Sequence, residues 1–183
     1  NFHFVDDSFN SNLEFLADET VQSAFGYSGQ KCSACSILYI PENLLDIFIP
    51  ILKRRVDSFM EYNENYGLIN SNSFRKTLLN INNLKRDTKN IDVLIDTTVE
   101  KTKTYRVSPF VVKCSDHNHS VFKQEYFAPI LAIYPYATSK TNETLKLCST
   151  ANNYALTGAI FSKRENFIED ADKVLKAKTG NFY

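Results

Sequence analysis

The chain has 183 residues, of which 43% are apolar and 14 are phenylalanines, enough to bury one sizeable core. Its 21 basic and 21 acidic side chains cancel, so no net field draws it to nucleic acid or to an anionic membrane. No apolar run reaches the ~18 residues that a membrane-spanning helix needs, and no basic-then-apolar leader opens the sequence. We predict one soluble globular domain whose partners are small molecules or proteins.

The cysteines and the two ends of the sequence indicate the compartment of the protein and the extent of the chain. Cys32, Cys35, Cys114 and Cys148 are too few for a disulfide scaffold in a chain of this length, which favours a reducing compartment. The first residue is Asn1 and not a methionine, and the apolar segments "NFHFV" and "GNFY" stand at the ends. We therefore expect a single domain that is truncated at both ends and belongs to a longer chain.

The first predicted elements are an apolar strand at residues 1–5 and a helix. Apolar residues recur at helical spacing from Leu13 to Phe25, and glycines end the pattern. Ser11 lies three residues before Glu14, which is the spacing of a capping box. We expect these two side chains to cap the start of the first helix.

A strand and two helices are predicted next. The segment "CSILYIP" reads as a short buried strand that Pro41 ends. A helical stripe follows from Leu45 to Phe59, in which Pro50 is expected to kink the helix or to mark a new start. Beyond an Asn-rich breaker segment, the pattern at 74–84 predicts another helix.

The second half of the sequence continues the alternation of strands and helices. Strands are predicted at "IDVLID", "SPFVVKC", "PILAIYPY" and "ALTGAIFS". Helices are predicted from Leu145 to Ala151 and around Phe167 to Leu175, the second leading into "GNFY". Such alternation is typical of the α/β class, with a parallel-rich sheet flanked by helices.

The segment "GYSGQKCSACS", residues 26–36, carries the clearest candidate chemistry. Cys32 and Cys35 have the spacing of half a zinc site, but no second pair of ligands with suitable spacing follows, so we predict no metal. A second polar cluster, "CSDHNH" at 114–119, could ligate a metal, although we interpret it as a solvated loop.

Cys32 meets part of what a nucleophile requires. Glycines precede it, Lys31 places a cation beside it, and Ser33 and Ala34 leave room for a ligand. A buried structural cysteine is the alternative that these features alone leave open. Cys35 begins an apolar run and is interpreted as a core residue, with a thioredoxin-like redox pair as the other possibility.

Several blocks together resemble the aldehyde dehydrogenase superfamily. "FGYSGQKCSACS" resembles its active-site signature, in which Gly-Gln-x-Cys carries the nucleophile. "KQEYFAPIL" resembles its Glu-x-Phe-Gly-Pro block, with Glu125, Phe127 and Pro129 in place and Ala128 where glycine is usual. "YALTGAIFS" and "GNFY" resemble two further blocks in the family's order. The Lys-Cys-Ser-Ala-Cys run is most similar to the Δ1-pyrroline-5-carboxylate dehydrogenases, which oxidise glutamate γ-semialdehyde to glutamate in proline degradation.

The resemblance implies roles for four residues. Cys32 would attack the aldehyde to give a thiohemiacetal, which loses a hydride to NAD and leaves a thioester, while the Cys32 backbone amide helps to hold the oxyanion. Glu125 would bind the nicotinamide ribose, Phe127 would pack near the nicotinamide, and Ser33 would help to bind the substrate carboxylate. If position 128 needs a positive φ, Ala128 would weaken NAD binding.

The resemblance also implies that parts of the enzyme lie outside these residues. The general base belongs to a Glu-x-Gly-Gly-Lys block that precedes Asn1 in the family, and the five glycines form no phosphate-binding loop, so an NAD-binding domain is expected to be absent. We predict that the chain alone is inactive. Its full-length parent would be homo-oligomeric and mitochondrial (matrix), or cytoplasmic if the resemblance is set aside.

Three other interpretations stay open at this point. The parent enzyme could act on another class of aldehyde, or the chain could be a non-catalytic relative that keeps the fold. A cysteine hydrolase would pair Cys32 with His3, His117 or His119, whose positions in the sequence indicate no local arrangement with it.

Overall fold

The computed structural model of the chain describes residues 1–62, 67–97, 105–151 and 155–183. Within them, strands and helices follow one another in the order that the hydrophobic patterns predict. The elements are β1 (Phe2–Val5), α1 (Leu13–Phe25), β2 (Ile37–Pro41), α2 (Glu42–Tyr62), α3 (Ser71–Arg86), β3 (Asp92–Ile95), β4 (Phe110–Lys113), β5 (Ile130–Tyr136), α4 (Thr141–Thr150), β6 (Ala155–Phe161), α5 (Glu165–Leu175) and β7 (Thr179–Phe182).

The strands form one sheet in the order β3-β4-β5-β2-β1-β6-β7. Strands β3 and β4 pair in antiparallel fashion, and every other neighbouring pair is parallel. The predicted parallel-rich α/β sheet is therefore confirmed. The chain reaches the sheet centre first, through β1 and β2, and then adds strands on both sides.

Helices cover both faces of the sheet. Helices α1 and α2 pack on one face, where Leu38 and Ile40 of β2 point, and α3, α4 and α5 pack on the other, where Ile37 and Tyr39 point. Because strands buried on both faces need apolar residues at every position, the central strands appear in the sequence as continuous apolar runs. None of the helices within the described ranges has the length and apolarity that a bilayer crossing requires.

The predicted capping box of α1 is wrong. The helix begins at Leu13, the Ser11 hydroxyl contacts the ammonium of Lys163, and the Glu14 carboxylate pairs with Arg54 and Arg55 of α2 at 2.6 and 3.0 Å. Both side chains are engaged by residues distant in sequence, so neither closes the first turn of the helix.

Of the two alternatives predicted at Pro50, a new helix start is wrong, because α2 runs through Pro50 without interruption. Proline lacks the N–H that would bond to the Asp46 carbonyl one turn earlier. Both residues lie on the exposed side of α2, where water can bond to that carbonyl. Helix α4 begins at Thr141 and not at Leu145, since its polar first turn carries no apolar pattern.

A buried carboxylate joins the carboxyl ends of β1 and β6. Asp6 is fully buried and accepts hydrogen bonds from Ser8 (2.6 Å), Ser162 (2.8 Å) and Arg164 Nε (3.0 Å). Burial alone would raise the pKa of Asp6, but the hydrogen bonds from Arg164, Ser8 and Ser162 outweigh it and lower that pKa to about 2. The ionised carboxylate thus ties β1 to the segment that leads into α5.

We expect Asp6→Asn to lower the free energy of unfolding by about 2 kcal/mol at neutral pH, because a pKa depressed from 3.8 to about 2 stabilises the fold by that amount. The contribution is complete above the unfolded-state pKa and is lost as the pH falls through about 2. Urea unfolding at several pH values measures it.

Asp7→Asn is the matched control for this measurement. Burial and the neighbouring Asp6 raise the pKa of Asp7, so its ionised form opposes folding and its neutralisation should leave stability unchanged or slightly higher. Equal losses in Asp6→Asn and Asp7→Asn would contradict the assignment of the stabilising charge to Asp6.

Candidate active site

Two segments meet at the amino-terminal edge of the parallel strands. The cysteine segment, residues 26–36, leads into β2, and the segment 122–129 leads into β5. Because β2 and β5 are parallel neighbours, with Ile37 opposite Ala132, the residues that precede each strand lie side by side. The topology therefore brings together two motifs that are almost a hundred residues apart in the sequence.

Between these segments lies a cleft of about 450 Å³. Cys32, Glu125 and Phe127 all line it, and all three side chains are exposed, Phe127 by 49%. The structure thus brings three of the four predicted site residues into one cleft that a ligand can enter.

The fourth residue, Ser33, faces a second groove of about 460 Å³ between α1 and β6. Phe15 and Glu19 of α1 and Thr157 of β6 also line this groove. Within the described residues the Ser33 hydroxyl makes no hydrogen bond, so it can bind a ligand there. Cys32 and Ser33 are adjacent, and the turn that carries them separates the two depressions.

The turn at Cys32 leaves the Cys32 amide without an acceptor among the described residues. The Ala34 N–H donates to the Lys31 carbonyl at 3.1 Å, which places Cys32 and Ser33 at the centre of the turn. In the described part of the chain the Cys32 N–H has no hydrogen-bond acceptor. A donor beside the sulfur is what an oxyanion formed by attack of that sulfur requires.

The Lys31 ammonium lies at the end of α1. Its Nζ lies 3.5 Å from the Gln22 carbonyl in the last turn of α1, where the unpaired carbonyls of a helix favour a cation. The side chain still lines the cleft together with Cys32. The expected cation therefore lies in the same cleft as Cys32, and the helix end orients it.

Gly29 brings the two segments into backbone contact. Its φ is +68°, and a Cβ added there would lie 2.3 Å from the Ala128 carbonyl oxygen. Ala128 itself does not have a positive φ; the left-handed residue of that segment is Phe127, with φ 50°. The condition under which Ala128 would weaken NAD binding is therefore not met.

The carboxamide of Gln30 holds the segment that precedes Cys32 through three hydrogen bonds, a role that the sequence analysis missed. Its Nε2 donates to the carbonyls of Tyr27 and Gly67, both at 3.1 Å, and its Oε1 accepts from the Ile69 N–H at 2.8 Å. The signal available in the sequence was a side chain with both donors and acceptors between Gly29 and Cys32. Its partners beyond residue 60 could not be found from local sequence.

Cys35 lies in the core, as predicted. It is 2% exposed and packs with α1 and α2, and its thiol donates to the Ile37 carbonyl at 3.3 Å. Burial raises the pKa of Cys35 to about 12. A thiol that stays protonated and buried does not suit a redox pair with Cys32.

The histidines of the "CSDHNH" cluster have structural partners. His117 Nε2 lies 3.1 Å from the Tyr39 hydroxyl, and His119 Nε2 lies 2.9 Å from Asp87 while its Nδ1 accepts from the Val121 N–H. Across the described ranges, no three His, Cys, Asp or Glu side chains converge as metal ligands would. The cluster joins the loop after β4 to the end of α3.

The arrangement of histidines argues against a cysteine hydrolase. His3 is buried and lies 3.1 Å from the Thr20 hydroxyl, and burial lowers its pKa to about 4. None of the histidines is among the described residues that line the Cys32 cleft. Cys32 has no imidazole base within this part of the protein.

We expect iodoacetamide to alkylate Cys32 and to spare the other three cysteines in the native protein. Cys32 is exposed, whereas Cys35, Cys114 and Cys148 are buried, and burial raises the pKa of each of these three thiols. Peptide mass mapping after limited alkylation measures the site, with denatured protein as the control that labels all four. Comparable labelling of a buried cysteine in the native state would contradict this arrangement.

We expect Gly29→Ala to destabilise the protein by at least about 2 kcal/mol, because a side chain there combines a left-handed φ with a clash against backbone. Gly26→Ala is the matched control, since its Cβ would meet only the mobile end of Lys31 at 3.0 Å; it should stay within about 1 kcal/mol of wild type. Thermal unfolding of both variants measures the difference, and equal stabilities would exclude the close approach of Gly29 to Ala128.

Comparisons with known proteins agree with this geometry. The mitochondrial Δ1-pyrroline-5-carboxylate dehydrogenases of Homo sapiens and Dictyostelium discoideum are 34% and 35% identical to the chain over 196 and 188 aligned residues. Each alignment covers 100% of this chain and 33% of the relative, so the chain spans about a third of the length of these curated relatives.

A solved structure and a family model extend the comparison. The crystal structure of the Mycobacterium tuberculosis Δ-pyrroline-5-carboxylate dehydrogenase bound with NAD matches with a TM-score of 0.86 at 26% identity, over 100% of this chain and 34% of that one. The model of the aldehyde dehydrogenase family matches residues 1–183. Because that match takes in every residue and both motifs of the cleft, the chain belongs to the aldehyde dehydrogenase family.

Proposed function

We propose that this chain is the nucleophile-bearing part of an NAD-dependent dehydrogenase that oxidises glutamate γ-semialdehyde, the open form of Δ1-pyrroline-5-carboxylate, to glutamate. The observation that carries the proposal is the exposed Cys32, whose amide has no acceptor among the described residues, in one cleft with Glu125 and Phe127. The similarity to Δ1-pyrroline-5-carboxylate dehydrogenases over the full length of the chain supports the choice of substrate.

Cys32 performs the covalent step. Its thiolate attacks the aldehyde carbon, and the carbonyl electrons move to oxygen to give a thiohemiacetal oxyanion. The Cys32 N–H, which has no acceptor within the described residues, donates to that oxygen. Loss of hydride from the same carbon leaves a thioester on Cys32, which water hydrolyses to the carboxylic acid and the free thiol.

The cleft suits the nicotinamide end of NAD. The exposed Glu125 carboxylate can accept hydrogen bonds from ribose hydroxyls, and Phe127 presents a half-exposed ring to a planar group. Three lysines line the cleft, which favours a phosphate-bearing ligand: Lys31, Lys123 and Lys178. When bound, NAD supplies the hydride acceptor that this chemistry requires.

Ser33 is placed to recognise the substrate. Its hydroxyl lies one residue from the nucleophile and faces the groove on the other side of the turn from the Glu125 cleft. A hydroxyl can donate a hydrogen bond to a carboxylate. Glutamate γ-semialdehyde carries a carboxylate, which three carbons separate from the reacting aldehyde. In this arrangement the substrate and the cofactor approach Cys32 from opposite sides.

The rest of the enzyme would supply what the described residues do not. A carboxylate general base must activate the hydrolytic water, and a phosphate-binding domain must hold most of NAD. We propose that both come from other parts of the same protein. Homo-oligomerisation and a place in the mitochondrial matrix belong to the same proposal, and the mitochondrial relatives support that location.

The first test is an NADH-forming assay of the protein that carries this chain, with Δ1-pyrroline-5-carboxylate and NAD. We expect Cys32→Ala to abolish turnover, and Ser33→Ala to raise KM for the substrate about tenfold with a smaller change in kcat, because one hydrogen bond to a charged group is lost. Ser71→Ala, which removes an exposed hydroxyl at the start of α3, is the matched control.

Each other outcome has a defined meaning. Turnover of other aldehydes only would keep the mechanism and reject the substrate. Absence of turnover with every aldehyde, in protein that is folded and labelled at Cys32, would favour a non-catalytic relative that keeps the fold. Retention of activity in Cys32→Ala would reject the mechanism itself.

A further inference from the structure

We propose that Asn1 is a positioning residue for the nucleophile, and that its carboxamide sets the orientation of the Cys32 thiol and amide. Asn1 stands immediately before β1, next to the turn at residues 31–34 and to the start of β6. This inference rests on the proposed function, because it concerns the geometry of the same reaction.

The Asn1 carboxamide uses all its hydrogen-bonding capacity on backbone groups. Its Nδ2 donates to the carbonyls of Cys32 and Ala34, at 2.8 and 2.9 Å. Its Oδ1 accepts from the N–H groups of Leu156 and Thr157, both at 2.9 Å. Two donors and two acceptor positions are the full inventory of this group, so one side chain joins the nucleophile turn to β6.

The backbone of Asn1 and the hydroxyl of Thr157 complete this attachment. The Asn1 carbonyl accepts from the N–H groups of Ser36 and Ile37, at 3.1 and 3.3 Å, and so holds the exit of the turn. Thr157 Oγ1 donates to the Ser33 carbonyl at 3.1 Å. The three successive carbonyls of residues 32–34 are therefore all bound by side chains from the starts of β1 and β6.

Holding three successive carbonyls restricts the peptide planes between them. The Cys32 N–H shares its peptide plane with the Lys31 carbonyl, which the Ala34 N–H holds at 3.1 Å. With the next three carbonyls bound by Asn1 and Thr157, the peptide planes on both sides of Cys32 are held, and its backbone dihedral angles are restricted. A nucleophile and its oxyanion donor must be placed together, since a displacement of about 1 Å can cost about 100-fold in rate.

The backbone groups around position 1 favour asparagine over aspartate and alanine. An aspartate would keep the acceptor for Leu156 and Thr157 but would set a carboxylate oxygen against the carbonyls of Cys32 and Ala34, where both sides only accept. An alanine would leave all four backbone groups without their partner. Comparing these two variants therefore separates the donor half of the carboxamide from the acceptor half.

The experiment compares Asn1→Asp and Asn1→Ala with wild type in the protein that carries this chain. Asn10→Ala is the matched control, because Asn10 is exposed and its side chain makes no hydrogen bond within the described residues. Three quantities are measured: kcat and KM, the rate of Cys32 alkylation by iodoacetamide as a function of pH, and the melting temperature. The alkylation profile reports on the thiol without any cofactor.

We expect both variants to lower kcat by about 10- to 100-fold, with KM for NAD changed by less than about threefold. Both should also change the pH profile of Cys32 alkylation. Asn1→Asp should lose at least as much as Asn1→Ala, because the contacts to the turn depend on the donor half. Asn10→Ala should match wild type in all three measurements.

Wild-type kcat and alkylation in Asn1→Asp would overturn the proposal. So would a loss of kcat that only follows the folded fraction, with unchanged alkylation of the folded protein, because Asn1 would then act on stability alone. If neither variant folds, Thr157→Val removes just one of the three carbonyl contacts and should lower kcat about threefold; an unchanged value would count against the proposal.

The two proposals can fail separately. If wild-type protein shows no turnover with Δ1-pyrroline-5-carboxylate and NAD, the proposed function fails, while the alkylation profiles still test whether Asn1 orients Cys32. If wild-type turnover is normal and the Asn1 variants alkylate and turn over as wild type does, the function stands and the positioning role is rejected.

Discussion

The site depends on one close approach, that of the Gly29 backbone to the Ala128 carbonyl. The turn that carries Cys32 and the Glu125–Phe127 segment each precede a strand, and parallel pairing of β2 with β5 brings them to the same edge. Only a residue without a side chain lets the two backbones touch there. Glu125 and Phe127 then line one cleft together with Cys32, and the cleft is the space that this contact leaves open.

The chemistry lies at the less usual edge of the sheet. In open α/β sheets ligands commonly bind beyond the carboxyl ends of the strands, and in this sheet that edge holds the Asp6 and Arg164 cluster after β1 and β6. In this cluster the two charges are paired and hydrogen-bonded, and they join β1 to the segment that follows β6. The amino-terminal edge carries an exposed thiol, an exposed carboxylate and an amide that has no acceptor in the part of the chain that the structure describes. Stabilising interactions and candidate chemistry thus occupy opposite ends of the same central strands.

Much of the fold was predictable, because parallel strands buried on both faces need continuous apolar runs and amphipathic helices need periodic ones. The errors have physical causes: Glu14 pairs with another helix, and α2 continues through Pro50 on an exposed side, where water can reach the Asp46 carbonyl. At the site, Cys32 and Glu125 lie in recognisable local motifs. Asn1 does not, since its side chain bonds to residues 155 positions away in the sequence, and no local pattern encodes such a contact.

The burial of Cys35 has a consequence for oxidative damage. An exposed thiol that is oxidised to a sulfenic acid is commonly rescued when a nearby cysteine condenses with it to form a disulfide. Cys35 is only three residues from Cys32, yet its sulfur faces the Ile37 carbonyl in the core, and Cys114 and Cys148 are buried as well. Recovery of an oxidised Cys32 would therefore rely on a thiol from outside this chain, such as glutathione, and the redox state of the surroundings would decide how long Cys32 stays reduced.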